Sequence, residues 1–240
     1  MAEEQQDAGA HELAAGNDLR DAGREAEALD AYRRAVAAGS RDALLNLGLL
    51  HADRGEVDAA RDALQRATAA GEPLAHLPLA DLEEADGDDE SAELHLRAGA
   101  QSGDAEARAA LGALLARTGR VAEARAVLQA GAAAGEVEAL LPLGNLLWDA
   151  DGDVAGAEAA YRRGLEGGDE YCHQNLGLLL EATGRDAEAR EQYRLGAATG
   201  DEMSLAALAR LADEGADPAG PPPPRRDHGI PPPPAGGGIP

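Results

Sequence analysis

Two interlocked ladders of glycine run through this chain. Gly23, Gly55, Gly87, Gly119, Gly152 and Gly184 recur every 32 or 33 residues, and Gly39, Gly71, Gly103, Gly135, Gly168 and Gly200 follow each of them by 16. A fixed period of this size marks one small supersecondary unit copied along the chain. Two turns per unit leave room for two helices of about twelve residues each. Glycine suits both turns, because helices commonly end on a left-handed residue that only glycine adopts freely.

The residues between the turns carry a helical face. Five places after each first-ladder glycine stands Ala28, Ala60, Ala92, Ala124, Ala157 or Ala189. Four further on stands Tyr32, Leu64, Leu96, Leu128, Tyr161 or Tyr193, and three beyond that Ala35, Ala67, Gly99, Gly131, Gly164 or Gly196. Steps of four and three lie on one side of a helix, so each unit's second helix presents a large knob between two sites of close approach. In the first helix Leu47-Gly48, Leu79-Ala80, Leu111-Gly112, Leu143-Gly144 and Leu176-Gly177 repeat a small residue at one place. A mid-helix glycine costs about 1 kcal/mol relative to alanine, so its recurrence predicts close backbone contact with the partner helix. The first unit keeps Gly16 but has Ala15 in place of leucine, and reads as a cap. A last helix, about Met203 to Asp213, has no second helix and closes the stack. The fifth unit holds one extra residue in Asp149-Ala150-Asp151-Gly152, a wider turn.

Composition agrees with such a stack. Hydrophobic residues make up 44% of the 240 but aromatics only 2%, with no Phe and a single Trp, Trp148. Alanine and leucine pack where helices approach closely, which argues against sandwiches and barrels. The formal charge is −24, and every basic residue is Arg. That charge repels a phosphate backbone and an anionic membrane surface, so neither nucleic acid nor membrane is expected as a partner. One cysteine, Cys172, excludes an internal disulfide. With Met1-Ala2-Glu3-Glu4 at the start, this predicts a cytoplasmic chain. Heavy Ala, Arg, Gly and Asp usage suggests a bacterial source.

The pattern resembles a tetratricopeptide repeat array. The run Ala37-Ala38-Gly39 with Ala43 and Leu47-Gly48, and its copies at Ala69-Ala70-Gly71 with Ala75 and Ala133-Ala134-Gly135 with Ala139, is similar to the Sel1-like subgroup. The likeness covers about residues 11 to 214. It implies an all-α fold: a right-handed α-solenoid of about six 32-residue repeats plus a capping helix, whose first helices line a concave groove. The expected organisation is a flexible stretch over 1–10, the solenoid over 11–216 and a disordered tail over 217–240. Ten of the 13 prolines fall from Pro218 onward. Within the tail Pro221, Pro224 and Arg226 fit a PxxPxR ligand pattern, although such a segment reads first as a solvated low-complexity tail. Residues 1–217 hold 44 acids and 19 Arg, a net −25, so the acidity belongs to the solenoid.

No constellation for chemistry stands out. Asp149, Asp151 and Asp153 begin like a calcium loop, but Val154 and Ala160 occupy the places that need Gly and Glu. Asp86, Asp88 and Glu90 fail likewise at Ser91 and Arg97. The six histidines show no zinc-type spacing and there is no CxxC, so neither metal nor cofactor is expected. Cys172 takes the place of Ala43, Ala75, Ala107 and Ala139, which makes it a packed small residue. The reading is therefore non-catalytic.

Tetratricopeptide proteins often hold extended peptides on first-helix residues after the small position and one turn on. Those places are Asn17 and Asp21, Asp81 and Glu84, Asn145, Trp148 and Asp149, and Glu181. Trp148 reads either as an outward anchor on the widened turn or as a filler between repeats. The resemblance and the charge lead to one expectation, a scaffold holding a basic or neutral peptide or protein in an acidic groove. The alternative is a structural or self-associating solenoid that presents its Pro-rich tail.

Overall fold

A computed structural model describes residues 2–216, with side chains placed over 7–212. Every element among them is helical. Six helix pairs follow in order. They are α1 (Ala2–Asp21) with α2 (Glu25–Ala37), α3 (Asp42–Asp53) with α4 (Val57–Ala69), and α5 (His76–Ala85) with α6 (Asp89–Gln101). Next come α7 (Ala105–Arg117) with α8 (Val121–Ala134), α9 (Leu140–Asp149) with α10 (Val154–Glu166), and α11 (Cys172–Ala182) with α12 (Asp186–Ala198). A single helix, α13 (Glu202–Ala216), ends the series, and a short 3-10 turn, Pro73–Ala75, leads into α5. The fold is an all-α solenoid. It divides into two compact units, Met1–Ala107 and Arg108–Pro240. The proposed tail ligand residues Pro221, Pro224 and Arg226, and the tail itself, lie outside the described residues.

Both glycine ladders are left-handed turns. All twelve glycines have φ between +64° and +93°, and no other described residue has positive φ. At Gly23 the closure is typical: its N–H donates to Arg20 O at 2.9 Å and the next N–H, of Arg24, to Leu19 O at 2.8 Å. These bonds satisfy carbonyls that the ending helix leaves open. The turn at Gly152 shows what one extra residue does. Gly152 N–H reaches Trp148 O at 3.1 Å and Asp153 N–H reaches Leu147 O at 2.8 Å. Each bond spans one residue more than at Gly184, whose partner is Glu181 O, and at Arg185, whose partner is Leu180 O. The helix that follows starts from Asp153, whose carboxylate accepts from Gly156 N–H at 2.9 Å.

The small residues and knobs meet as their spacing predicts. Within a repeat, the first-helix glycine receives the second-helix knob. A Cβ on Gly16 would lie 2.5 Å from the Tyr32 ring, and one on Gly48 would lie 2.7 Å from Leu64. Gly112 faces Leu128, Gly144 faces Tyr161 and Gly177 faces Tyr193 in the same way. Between repeats, Gly99 meets Ala107, Gly131 meets Ala139, Gly164 meets Cys172 and Gly196 meets Ser204. Cys172 is fully buried there, and burial, with Asp169 beside it, pushes its thiol well above the ordinary range. A neutral packed thiol is the result.

One boundary differs from expectation. Helix α1 starts at Ala2, inside the stretch expected to be flexible. Gly9 is buried where a Cβ would touch Ala38 at 3.4 Å, so packing against α2 extends before residue 11.

Candidate functional site

The polar residues assigned to a groove divide between the two units, and most have local work. In the first unit Asn17 is half-buried. Its Oδ1 accepts from the Tyr32 hydroxyl at 2.9 Å and from Asn46 Nδ2 at 2.9 Å. Asp21 is exposed beside Arg20, 3.5 Å away. In the second unit Asn145 Oδ1 accepts from the Tyr161 hydroxyl at 2.7 Å. Glu181 Oε2 accepts from the Tyr193 hydroxyl at 2.9 Å and from Arg210 on α13 at 2.6 Å. Trp148 is half-buried and packs against the core cluster around Tyr161, Cys172 and Leu176. Asp149 is exposed one residue on. A buried tyrosine must place its hydroxyl, and Asn17, Asn145 and Glu181 do this for the three tyrosine knobs. Burial raises the Tyr32 and Tyr161 hydroxyls far from ionisation, so each stays a donor.

Asp81 and Glu84 lie on α5, and Asp81 rims a cleft of about 580 Å³ wholly within the first unit. Leu45 and Leu49 of α3 form one wall. Leu74, Leu77 and Pro78 form another, and Asp104, Ala105 and Glu106 close it beside Asp81. The lining holds three carboxylates and no cation. Surrounding protein, then the negative charges of Glu84 and Glu106, raise the Asp81 carboxyl above its ordinary range. A group in that state gains from any cation brought beside it. Asp104 is partly committed, since its Oδ1 caps α7 through Ala107 N–H at 3.1 Å.

The groove positions of the second repeat include Leu49, but Leu45, Leu74 and Leu77 were not singled out from the sequence. Their signal was present: Leu45 and Leu49 stand 32 residues before Leu77 and Asp81, so one helix face repeats with leucine at three of four places.

Residues 13–75 match the model of the tetratricopeptide repeat family. A Sel1 repeat protein from Oxalobacter formigenes superposes with a TM-score of 0.66 at 23% identity, covering 85% of this chain and 91% of that one. The chain has the fold of tetratricopeptide and Sel1-like repeat solenoids. A protective antigen of uropathogenic Escherichia coli with an SLR fold is similar at a TM-score of 0.65 and 20% identity, over 90% of this repeat protein and 50% of the antigen. YrrB, a tetratricopeptide protein with an unusual peptide-binding site, is similar at a TM-score of 0.50 and 16% identity, over 75% of this chain and 99% of YrrB. No curated protein sequence matches the repeat protein.

Among the described residues of this repeat protein, no group of three or more His, Cys, Asp or Glu is placed to hold a metal ion. No described helix is long and apolar enough to cross a membrane. The cleft offers contact chemistry: an apolar floor for a side-chain stem and carboxylates for a cationic head.

Proposed function

We propose that this repeat protein is a non-catalytic interaction scaffold whose first-unit cleft holds a protein or peptide segment with an apolar residue next to Arg or Lys. The observation that carries this is the cleft's lining, leucines under three carboxylates with no arginine, in a chain otherwise laced with Arg–carboxylate pairs. A long basic side chain fits both halves, its methylenes on leucine and its charge at Asp81 and Glu106. The net charge of the chain steers such a partner toward it. The peptide-binding site named for YrrB supports the reading by fold analogy alone.

The test is fluorescence anisotropy with labelled peptides of the form Leu-Arg and Arg-Leu in neutral flanks, titrated with the full chain at low and high salt. Binding is expected to weaken roughly tenfold with Leu49→Asp and several-fold with Asp81→Asn, and to fall with salt. Equal binding by an acidic scrambled peptide, or no response to either substitution, refutes the cleft.

A further inference from the structure

The last helix leaves open a knob-receiving place that every earlier repeat buries. Ser204 sits against Gly196 as Cys172 sits against Gly164 and Ala139 against Gly131, and these contacts set the register of α13. In that register Ala209 stands where Gly48, Gly112, Gly144 and Gly177 receive their knobs. Leu205 corresponds to Leu44 and Leu140, both buried under a second helix. Ala212 corresponds to Leu115 and Leu180, also buried. On α13 the same three places are open: Leu205 is 52% exposed, and Ala209 and Ala212 are exposed with it. They lie at i, i+4 and i+7, one continuous face. The rest of the helix holds it in place, with Leu211 in the core cluster, Leu208 packed against that cluster at the edge of the open face, and Arg210 bound to Glu181 at 2.6 Å.

We propose that this face of α13 is a docking site for one helix of a partner protein, an amphipathic helix bearing a leucine between small residues and a basic solvent side. The chain holds its own examples of what covers such a face. Where the receiving residue is glycine, the knob is tyrosine or leucine. Where it is alanine, at Ala80, the knob is Leu96. Ala209 likewise carries a Cβ that takes up part of the hollow, so the complementary knob is leucine. The sequence of residues 217–240, with its ten prolines, is unlike that of such a helix. A second copy brings another net charge of −24 toward the first, whereas a basic helix is drawn to it.

The test uses a stapled helical peptide that copies Ala92, Leu96 and Gly99 of α6 and carries Arg on its other faces, titrated into the full chain by calorimetry. The expected result is a Kd on the order of ten micromolar that weakens at least tenfold with Ala209→Arg or Leu205→Asp in the chain, or with Asp at the peptide's leucine. Leu49→Asp in the first-unit cleft leaves this binding unchanged, which separates it from the function proposed above. Circular dichroism checks that the α13 variants keep their helicity. The milder Leu205→Ala, expected to weaken binding several-fold, serves if Leu205→Asp does not. The proposal is overturned by absent binding or by binding indifferent to Ala209→Arg. It is also overturned by a dimer, seen by light scattering, that Ala209→Arg dissolves, which would make a second copy the occupant.

Discussion

The joints at Tyr161 and at Leu64 are the same joint built two ways. In the first, Gly144 on α9 admits a tyrosine ring, and Asn145 beside it accepts the hydroxyl. In the second, Gly48 on α3 admits a leucine, and the next residue is Leu49, which is free to line the cleft. Where the knob is tyrosine, a first-helix side chain accepts its hydroxyl, next to the glycine at Asn17 and Asn145 and one turn on at Glu181. A tyrosine knob ties up an amide or carboxylate at the groove position, and a leucine knob makes no such demand. Repeats with tyrosine at Tyr32, Tyr161 and Tyr193 have hydrogen-bonded joints; those with Leu64 and Leu96 flank the open cleft.

Truncating the knobs should give the largest effect. Tyr161→Ala is expected to cost about 4 kcal/mol and Leu64→Ala about 3 kcal/mol, measured by urea denaturation with far-ultraviolet circular dichroism. An equal or smaller loss at Tyr161 would break the view that its hydrogen-bonded joint contributes more stability. Filling the hollows separates the joints further. Gly144→Ala should cost about 2 kcal/mol, because an aromatic ring has no rotamer that clears the added methyl. Gly48→Ala should cost under about 1 kcal/mol, since a leucine reorients and alanine gains helix propensity, as Ala80 with Leu96 already illustrates.

Smaller again is the polar part of the tyrosine joint. Tyr161→Phe and Asn145→Ala should each cost about 1 kcal/mol, and the double variant about the same as either, a coupling that a double-mutant cycle reads directly. Additive losses would mean that the 2.7 Å bond between them stabilises nothing.

Most of this architecture was legible in the sequence because it is periodic. Glycine φ, helix pairing and the small-to-knob contacts each recur, so the residues announce them by spacing. The site was less legible, because the same residue types serve two ends. Asn17, Asn145 and Glu181 have the polarity of peptide-binding groups and stand at the right helix positions, yet each accepts a hydrogen bond from a buried tyrosine. The clue was covariation along the chain: tyrosine at the knob coincides with a carboxamide right after the receiving glycine, at Asn17 and Asn145, or a carboxylate one turn on, at Glu181. Trp148 could not be placed from spacing, since the inserted residue in its turn shifts the register by an amount that only the hydrogen bonds of Gly152 and Asp153 disclose. Leu45, Leu74 and Leu77 did not stand out beside Leu49, because a helix face exposed to a groove and one exposed to a neighbouring repeat share the same apolar period.

A last pair of matched joints gives the smallest effect and the clearest sign. At one place in the repeat, His76 on α5 meets His95 on α6, Nδ1 to Nδ1 at 3.2 Å, with ring centres 5.5 Å apart. At the corresponding place in the second unit, His173 meets Gln192 Oε1 at 2.9 Å. Two imidazoles facing along the N···N line share one proton and have no place for a second, whereas Gln offers an acceptor to a protonated ring. Burial, first of all, lowers both His76 and His95 below their ordinary value of 6.5. His95 adds to the effect on His76, while Glu83 partly opposes it on His95. Between that ordinary value and the lower folded ones, the unfolded chain binds more protons, so stability falls as pH drops through and below 6.5. Both rings are partly open to water, which keeps the loss under about 1 kcal/mol. The carboxylates held down by arginine, such as Glu158 beside Arg185, start from 4.5 and titrate in a lower window. Urea midpoints measured from pH 7.5 to pH 5 should therefore slope downward in the natural chain and flatten in His95→Gln, which copies the His173–Gln192 arrangement. A slope that survives this substitution would assign the pH dependence elsewhere and leave the two joints equivalent.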